Sequence, residues 1–241
     1  MTDRSATPAS SRIQPMAALR ALRALLRDPD DTAKVFDVIE ALSGPTRTRV
    51  LRKFRKRPNG PALLEARPDL LARLSDREAL LALPPGSLGR TYAEFMNREQ
   101  IDADGLVEAS EEQRNPNASP EERWFGDRLR DMHDLWHVVT GYERDLVGEA
   151  ALLAFTYAQT RNPGIGLIVA AAYWKAKEDS MHARPVIRDG YRRGRDAAWL
   201  PEQRWEDLLE QPLEAVRAQL RLGAPPEYAQ VRSEGAPALA S

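Results

Sequence analysis

The chain of 241 residues contains no cysteine. This absence excludes disulfides, iron–sulfur clusters, thiolate zinc sites and a cysteine nucleophile, so any bound metal must use nitrogen and oxygen ligands. Histidine is also scarce, since the chain has only three. The positions of these three residues therefore restrict where imidazole chemistry can take place.

Long apolar runs and an excess of one charge are missing as well. The best candidate for a spanning segment, Ile165 to Trp174, is shorter than the ~18 apolar residues that a transmembrane helix needs. Thirty-five basic and 36 acidic residues give a formal net charge of -1, which offers no reason to expect nucleic acid as a partner. The first dozen residues lack the apolar segment of a secretory signal. These features predict a cytoplasmic protein that is soluble or peripheral to a membrane.

Helix-forming residues dominate, and no run of five or more residues alternates in the way of a half-buried strand. The sequence therefore predicts an all-α fold. We expect a flexible N-terminus at 1–14, a single multi-helix, metal-binding domain at 15–223 and a disordered tail at 224–241, which is rich in Pro, Ala, Gly and Ser. The polar residues 98–118 predict an exposed linker inside the domain.

Two basic segments lie near the start of the domain. Pro15 can open a helix that ends at Asp28, with an apolar stripe and an opposite face that carries Arg20, Arg23 and Arg27. Such a helix can rest on a membrane surface or pack on its own domain, and the pattern leaves both open. The basic run 47–57 favours a solvated helix face over a nucleic-acid patch, since it contains the apolar stripe Val50, Leu51 and Phe54.

The longest predicted helix begins at Pro120, after Ser119 as its N-cap, and runs to about Thr140. Gly141 is its expected stop. A second helix is predicted from Asp145 to Thr160. Because the connection is short, the two helices should form an antiparallel hairpin.

The sequence His-Asp-Leu-Trp-His at 133–137 lies in the first of these helices. Two histidines at positions i and i+4 project to one side of a helix, about 6 Å apart, and can share one metal ion. Asp134 can add an oxygen. Glu149 lies in an otherwise apolar segment, where an unpaired carboxylate is costly, and the hairpin would fold it back toward His133 and His137.

These residues also allow other interpretations. The histidines could be partly buried side chains bonded to backbone or carboxylate, and Glu149 could simply favour a helix start. The combination of His133, Asp134, His137 and Glu149 favours a divalent metal site. His182 is isolated, so we expect it to be structural or exposed. Asp134 is too short for the general base of an H-E-x-x-H protease, and a histidine–aspartate phosphohydrolase needs a further histidine upstream, which is absent.

The signature H-D-L-W-H-x(11)-E, preceded by Arg130, resembles that of the coenzyme Q (ubiquinone) biosynthesis family Coq4. Two flanking stretches are similar to the family as well: L-P-P-G-S-L-G-R-T-Y-A-E-F at 83–95 and W-E-D-L-L at 205–209. The resemblance covers about residues 30–222. Because the chain lacks a long mitochondrial presequence, it looks like a bacterial-type member.

The resemblance implies an all-helical fold, a buried metal site on the four residues above and an adjacent hydrophobic pocket for a polyprenyl lipid. The ion is zinc in most assignments, with iron, manganese, cobalt or magnesium as alternatives. Family members are peripheral to the inner membrane and act with other ubiquinone-biosynthesis proteins. We therefore expect a prenylated quinone precursor, pathway proteins and a membrane surface as partners, and leave a homodimer open.

Three functions stay open at this point. The resemblance implies a lyase that removes the C1 carboxylate of a polyprenylated 4-hydroxybenzoate, with hydroxylation at that carbon. A second hypothesis is a non-catalytic lipid-binding scaffold that organises the biosynthetic complex. An unrelated metallohydrolase is the third, and the apolar segments around Glu149 and Ile165 to Trp174 argue against it.

Overall fold

The computed structural model describes residues 13–28, 31–101, 118–179 and 182–233. Every regular element in these ranges is a helix, so the all-α fold is confirmed. The helices are α1 (Pro15–Arg27), α2 (Thr32–Ser43), α3 (Thr46–Arg55), α4 (Gly60–Ala66), α5 (Leu70–Ser75), α6 (Arg77–Leu81), α7 (Leu88–Glu99), α8 (Pro120–Asp131), α9 (His133–Thr140), α10 (Leu146–Thr160), α11 (Pro163–Asp179), α12 (Ala183–Asp196), α13 (Trp205–Leu208) and α14 (Leu213–Gln219).

Three sequence predictions fall largely outside the described ranges. These are the flexible N-terminus, of which residues 1–12 are not described, most of the linker at 98–118, and the end of the tail beyond Ser233. Throughout the described ranges, no helix is both long enough and apolar enough to span a bilayer.

The main core forms where α7, α9 and α10 meet the C-terminal helices. Its fully buried residues include Tyr92, Leu135, Leu152, Phe155 and Trp205. Helix α10 packs against α12 on one side and α11 on another. Because α10 is apolar on nearly all sides, it can be covered by neighbours in this way, and it carries few charged residues.

Helices α1 and α2 form a hairpin that packs on α11. Leu22 and Leu25 of α1 are buried there, but other apolar residues of the same helix are exposed: Met16, Leu19 and Leu26. The basic run forms α3, in which Val50, Leu51 and Phe54 are buried and the charged residues face outward. The predicted solvated face is confirmed for α3.

The prediction of one long helix from Pro120 to Thr140 was wrong in one respect, because the structure has two helices that meet at Met132. Met132 has φ −82° and ψ 0°, which departs from α-helical geometry. Its side chain is fully buried, and its sulfur accepts a hydrogen bond from Trp205 Nε1 at 3.0 Å. This contact with a distant tryptophan leaves no trace in helical periodicity, so the break was not visible in the sequence.

The segment 224–233 runs over the surface of the domain. The Tyr228 hydroxyl donates to Asp145 Oδ2 at 2.8 Å, and the Val231 N–H donates to Asp145 Oδ1 at 3.0 Å. In return, the Leu146 N–H donates to the Val231 carbonyl. This part of the predicted tail is therefore held against the start of α10.

Candidate metal centre

The hairpin of α9 and α10 brings the predicted metal ligands together. His133 and His137 lie one turn apart on α9, which ends where Gly141 adopts a left-handed φ of +76°. Helix α10 begins after its N-cap Asp145, whose carboxylate accepts from the Val147 N–H at 3.0 Å. Glu149 lies in the first turn of α10 and so faces back toward α9.

A second glycine lets this hairpin close. A Cβ on Gly148 would lie 2.0 Å from the Glu143 carbonyl oxygen and 2.5 Å from the Tyr228 hydroxyl, so no larger residue fits without movement. The loop therefore packs directly on the first turn of α10. This close approach fixes the position of Glu149, the next residue.

The donor atoms of the three residues have spacings that suit one metal ion. Nε2 of His137 lies 3.3 Å from Nε2 of His133 and 3.3 Å from Oε1 of Glu149, and Nε2 of His133 lies 3.7 Å from Oε2 of Glu149. Donors bound at about 2.1 Å in a tetrahedral arrangement would lie about 3.4 Å apart. The three residues therefore fit three corners of such a site and leave a corner for a fourth ligand.

The partners of His137 prepare its outer nitrogen for a metal. Its Nδ1 lies 2.8 Å from the Tyr142 carbonyl, which can only accept, so Nδ1 carries the proton and Nε2 offers a lone pair. The ring of Phe95 stacks on the imidazole, with 5.9 Å between the ring centres. The side chain of His137 is fully buried, whereas those of His133 and Glu149 are 26% and 31% exposed. The cluster is therefore open on one side.

Charges concentrate at this cluster. Burial lowers the pKa of His137, but the charges of Glu149 and Asp134 and the hydrogen bonds to Glu149 and Tyr142 together raise the pKa above its usual value. For Glu149, burial raises the pKa, and the two histidines outweigh this effect and hold the pKa well below its usual range. Glu149 is therefore ionised at neutral pH, as a metal ligand must be.

The structure gathers three of the four predicted ligands. His133, His137 and Glu149 form the cluster, whose ligand atoms all lie within 4.8 Å of one another. Asp134 is buried beside it but is not a member of this set. His182 is exposed at the start of α12, as expected for a histidine outside the site.

Two residues at the site were missed by the sequence analysis. Tyr142 orients His137 through its backbone carbonyl, and any residue type could supply that group. Arg144 places its Nε 3.6 Å from Glu149 Oε1. An arginine in a short polar loop is so common that no pattern could have distinguished it.

Fold and site together define an all-helical protein with a candidate metal centre. Residues 8–226 match the family model described as coenzyme Q (ubiquinone) biosynthesis protein Coq4. The match covers most of the chain, so this chain belongs to the Coq4 family. The predicted family resemblance is confirmed.

Curated relatives agree with this family assignment, and a solved structure agrees with the fold. The chain is 31% identical to the mitochondrial ubiquinone biosynthesis protein coq4 of Talaromyces stipitatus, over 81% of this chain and 69% of that protein. It is 28% identical to the mitochondrial COQ4 of Yarrowia lipolytica, over 74% of this chain and 67% of that protein. A crystal structure of a Nostoc punctiforme protein matches 87% of this chain and 97% of its own, with a TM-score of 0.66 and 23% identity, and supports the fold alone.

Proposed function

We propose that this member of the ubiquinone biosynthesis family is a metal-dependent enzyme. Its substrate is a polyprenylated 4-hydroxybenzoate-type intermediate, from which it removes the C1 carboxylate while a hydroxyl enters at that carbon. The proposed metal dependence is supported by the spacing of His133, His137 and Glu149, which suits a divalent ion. The substrate class comes from the family resemblance.

The proposed reaction balances with dioxygen as the oxidant and a two-electron reductant. The bond between the ring and the carboxyl carbon breaks and carbon dioxide leaves. One oxygen atom enters the ring as a hydroxyl, and the other leaves as water after taking up two protons and two electrons. A metal ion, when bound, supplies Lewis-acid polarisation of the head group's oxygens.

The chain's own residues account for the rest of the proposal. His133, His137 and Glu149 would hold the ion, and Asp134 would add a second negative charge beside them. The Tyr142 carbonyl keeps the proton of His137 on Nδ1. Phe95 would exclude water from the buried side of His137, and the lipid's polyprenyl chain would extend from the open side of the cluster.

Metal analysis of purified protein tests this proposal. We expect one divalent ion per chain, lost in a His133→Ala, His137→Ala double variant and retained in the matched control His182→Ala, because His182 is exposed outside the cluster. The metal-loaded protein should convert a prenylated hydroxybenzoate in the presence of air and a reductant, and should not do so without oxygen. Wild-type protein without metal would contradict the site, and metal without turnover would contradict the enzyme.

The alternative function is a lipid-binding scaffold at a membrane surface, and one observation favours a membrane location for either function. The outward face of α1 carries three exposed apolar side chains and three exposed arginines: Met16, Leu19, Leu26, Arg20, Arg23 and Arg27. Trp174 on α11 is 65% exposed, and its neighbour Lys175 donates to the Leu26 carbonyl, so the two helices meet there. Exposed apolar residues among cations suit an anionic bilayer.

Sedimentation with vesicles tests the membrane location. We expect binding to vesicles with 30% anionic lipid and weaker binding to neutral ones. A Met16→Ser, Trp174→Ser variant should lose most of the binding, whereas Val231→Ser, which changes an exposed apolar residue elsewhere, should not. Equal sedimentation of all three proteins would contradict the location, and a dimer that only the double variant disrupts would assign the face to a second copy.

A further inference from the structure

Arg144 places its guanidinium at the metal centre, where none of the residues that the structure describes accepts a hydrogen bond from it. Its Nε is buried and donates to no atom of the described residues, and its ion-pair partner among them is Glu149, at 3.6 Å. No other described residue accepts a hydrogen bond from its side chain. The side chain is 28% exposed, so part of the guanidinium reaches the same open side as Glu149.

Buried arginines elsewhere in the described part of the chain have most of their donors engaged by protein oxygens, although Arg128 Nε and Arg193 Nη1 also lack an acceptor. Arg128 binds both carboxylate oxygens of Glu206, and Arg193 donates to the Leu222 and Ala224 carbonyls. Arg217 donates to two carbonyls at the end of α9. Leaving a half-buried guanidinium without acceptors costs free energy, so its donors should be used by something that binds there.

The charges at the centre indicate an anion. Glu149 and Asp134 together balance a divalent ion, and the neighbouring Glu143 already pairs with Arg98. Arg144 is then a positive charge that no carboxylate at the centre compensates. A planar guanidinium with free donors matches an oxyanion, which it can bind through two parallel hydrogen bonds.

We infer that Arg144 is a ligand-binding residue that holds an oxyanion of the molecule bound at the metal centre. This inference rests on the proposed function, in which that oxyanion is the carboxylate on the aromatic ring. Arg144 would fix the ring's orientation by holding its carboxylate from the α9–α10 loop, while the ring's oxygens face His133 and Glu149. A phosphate group has the same chemistry and is distinguished by the test.

Binding of three probes to zinc-loaded protein tests the inference. The probes are 3-geranyl-4-hydroxybenzoate, the same molecule without its carboxylate (2-geranylphenol) and geranyl monophosphate, each titrated by calorimetry. Arg144→Gln should weaken binding of the hydroxybenzoate by about ten- to a hundredfold and leave that of the phenol unchanged, since only the first offers a charged acceptor. Arg144→Lys should restore part of the loss. Arg188→Gln, an exposed arginine on α12, is the control and should change nothing.

The outcomes separate this inference from the proposed function. An equal loss for the hydroxybenzoate and the phenol, or no loss for any probe, would overturn the role of Arg144. A loss confined to geranyl monophosphate would support the oxyanion site but contradict the hydroxybenzoate as the substrate. If wild-type protein binds zinc and none of the probes, the proposed substrate class and this inference both fail, whereas the metal site stands.

Discussion

Helices α8 and α9 are consecutive in the chain and separated by one residue, yet their polar residues make different kinds of contact. On α8, Ser119 and Glu122 form a reciprocal capping box, and Arg128 forms a bidentate ion pair with Glu206 at 2.6 and 2.9 Å. On α9, His133 and His137 turn their Nε2 atoms toward each other and toward Glu149.

The difference lies in whether donors and acceptors match. The carboxylate of Glu206 faces a cation with hydrogens to donate, so that pair is satisfied within the protein. The cluster on α9 instead gathers lone pairs, because His137 Nε2 and the Glu149 oxygens are all acceptors when the imidazole is neutral. Acceptors held 3.3 Å apart without a hydrogen between them need a cation or a shared proton. This difference supports our proposal of a stabilising role for α8 and a metal-binding role for α9.

Breaking the ion pair on α8 should give the largest effect. Arg128→Met removes one partner of a buried pair and leaves Glu206, whose side chain is only 16% exposed, without its cation. We expect a loss of about 3 kcal/mol in the free energy of unfolding, measured with urea, and no change in bound metal per folded chain. Arg123→Met, an exposed position on the same helix, should cost less than about 0.5 kcal/mol. Loss of metal in folded Arg128→Met protein would contradict the assignment of stability to α8 and metal binding to α9.

Glu149→Gln should have the opposite pattern. The substitution keeps size and shape but replaces the charged ligand, so metal affinity should fall at least about a hundredfold, or about 2.7 kcal/mol. Competition with a chelating dye measures it, and the unfolding free energy of the metal-free protein should change far less. Glu143→Gln, in the preceding loop, is the matched control. Unchanged affinity in Glu149→Gln would show that Glu149 is not a ligand.

Helical periodicity and ligand chemistry were enough to predict much of this fold and site. The bounds of α1, the cap at Ser119, the start of α10 next to Asp145, and the pairing of His133 with His137 follow from local sequence. The approach of Glu149 was also predictable, because Gly141 and a short loop permit only a tight hairpin.

What local sequence could not predict depends on contacts between distant residues. The break at Met132 follows from Trp205, more than seventy residues away, and the attachment of residues 224–233 depends on Asp145. The exposure of Met16 and Leu19 was equally invisible, since an apolar stripe does not reveal whether a neighbour covers all of it. Arg144 was missed because only its lack of hydrogen-bond acceptors among the described residues makes it informative. That lack cannot be seen in the sequence.

Asp134→Asn tests whether Asp134 is a metal ligand or only a charge beside the metal centre. Asp134 is buried and its charge helps to raise the pKa of His137, but it lies outside the set of three ligand residues. Loss of a direct ligand would cost about a hundredfold in metal affinity, whereas loss of a neighbouring charge costs about tenfold. The position of Asp134 leads us to expect about tenfold, by the same dye competition. A loss as large as that of Glu149→Gln would make Asp134 the fourth ligand, as the sequence suggested.

Tyr228→Phe should have the smallest effect. It tests whether the C-terminal segment stabilises the position of the loop between α9 and α10. The Tyr228 hydroxyl accepts from the Glu143 N–H at 2.9 Å and donates to Asp145 Oδ2 at 2.8 Å, so one atom connects the loop to the N-cap of α10. Its removal should cost about 1 kcal/mol and lower the melting temperature by about 2–4 °C. If the segment also positions Glu149, metal affinity will fall slightly while Val231→Ser leaves it unchanged. A melting temperature equal to that of the wild type would show that the loop packs on α10 without help from this hydroxyl.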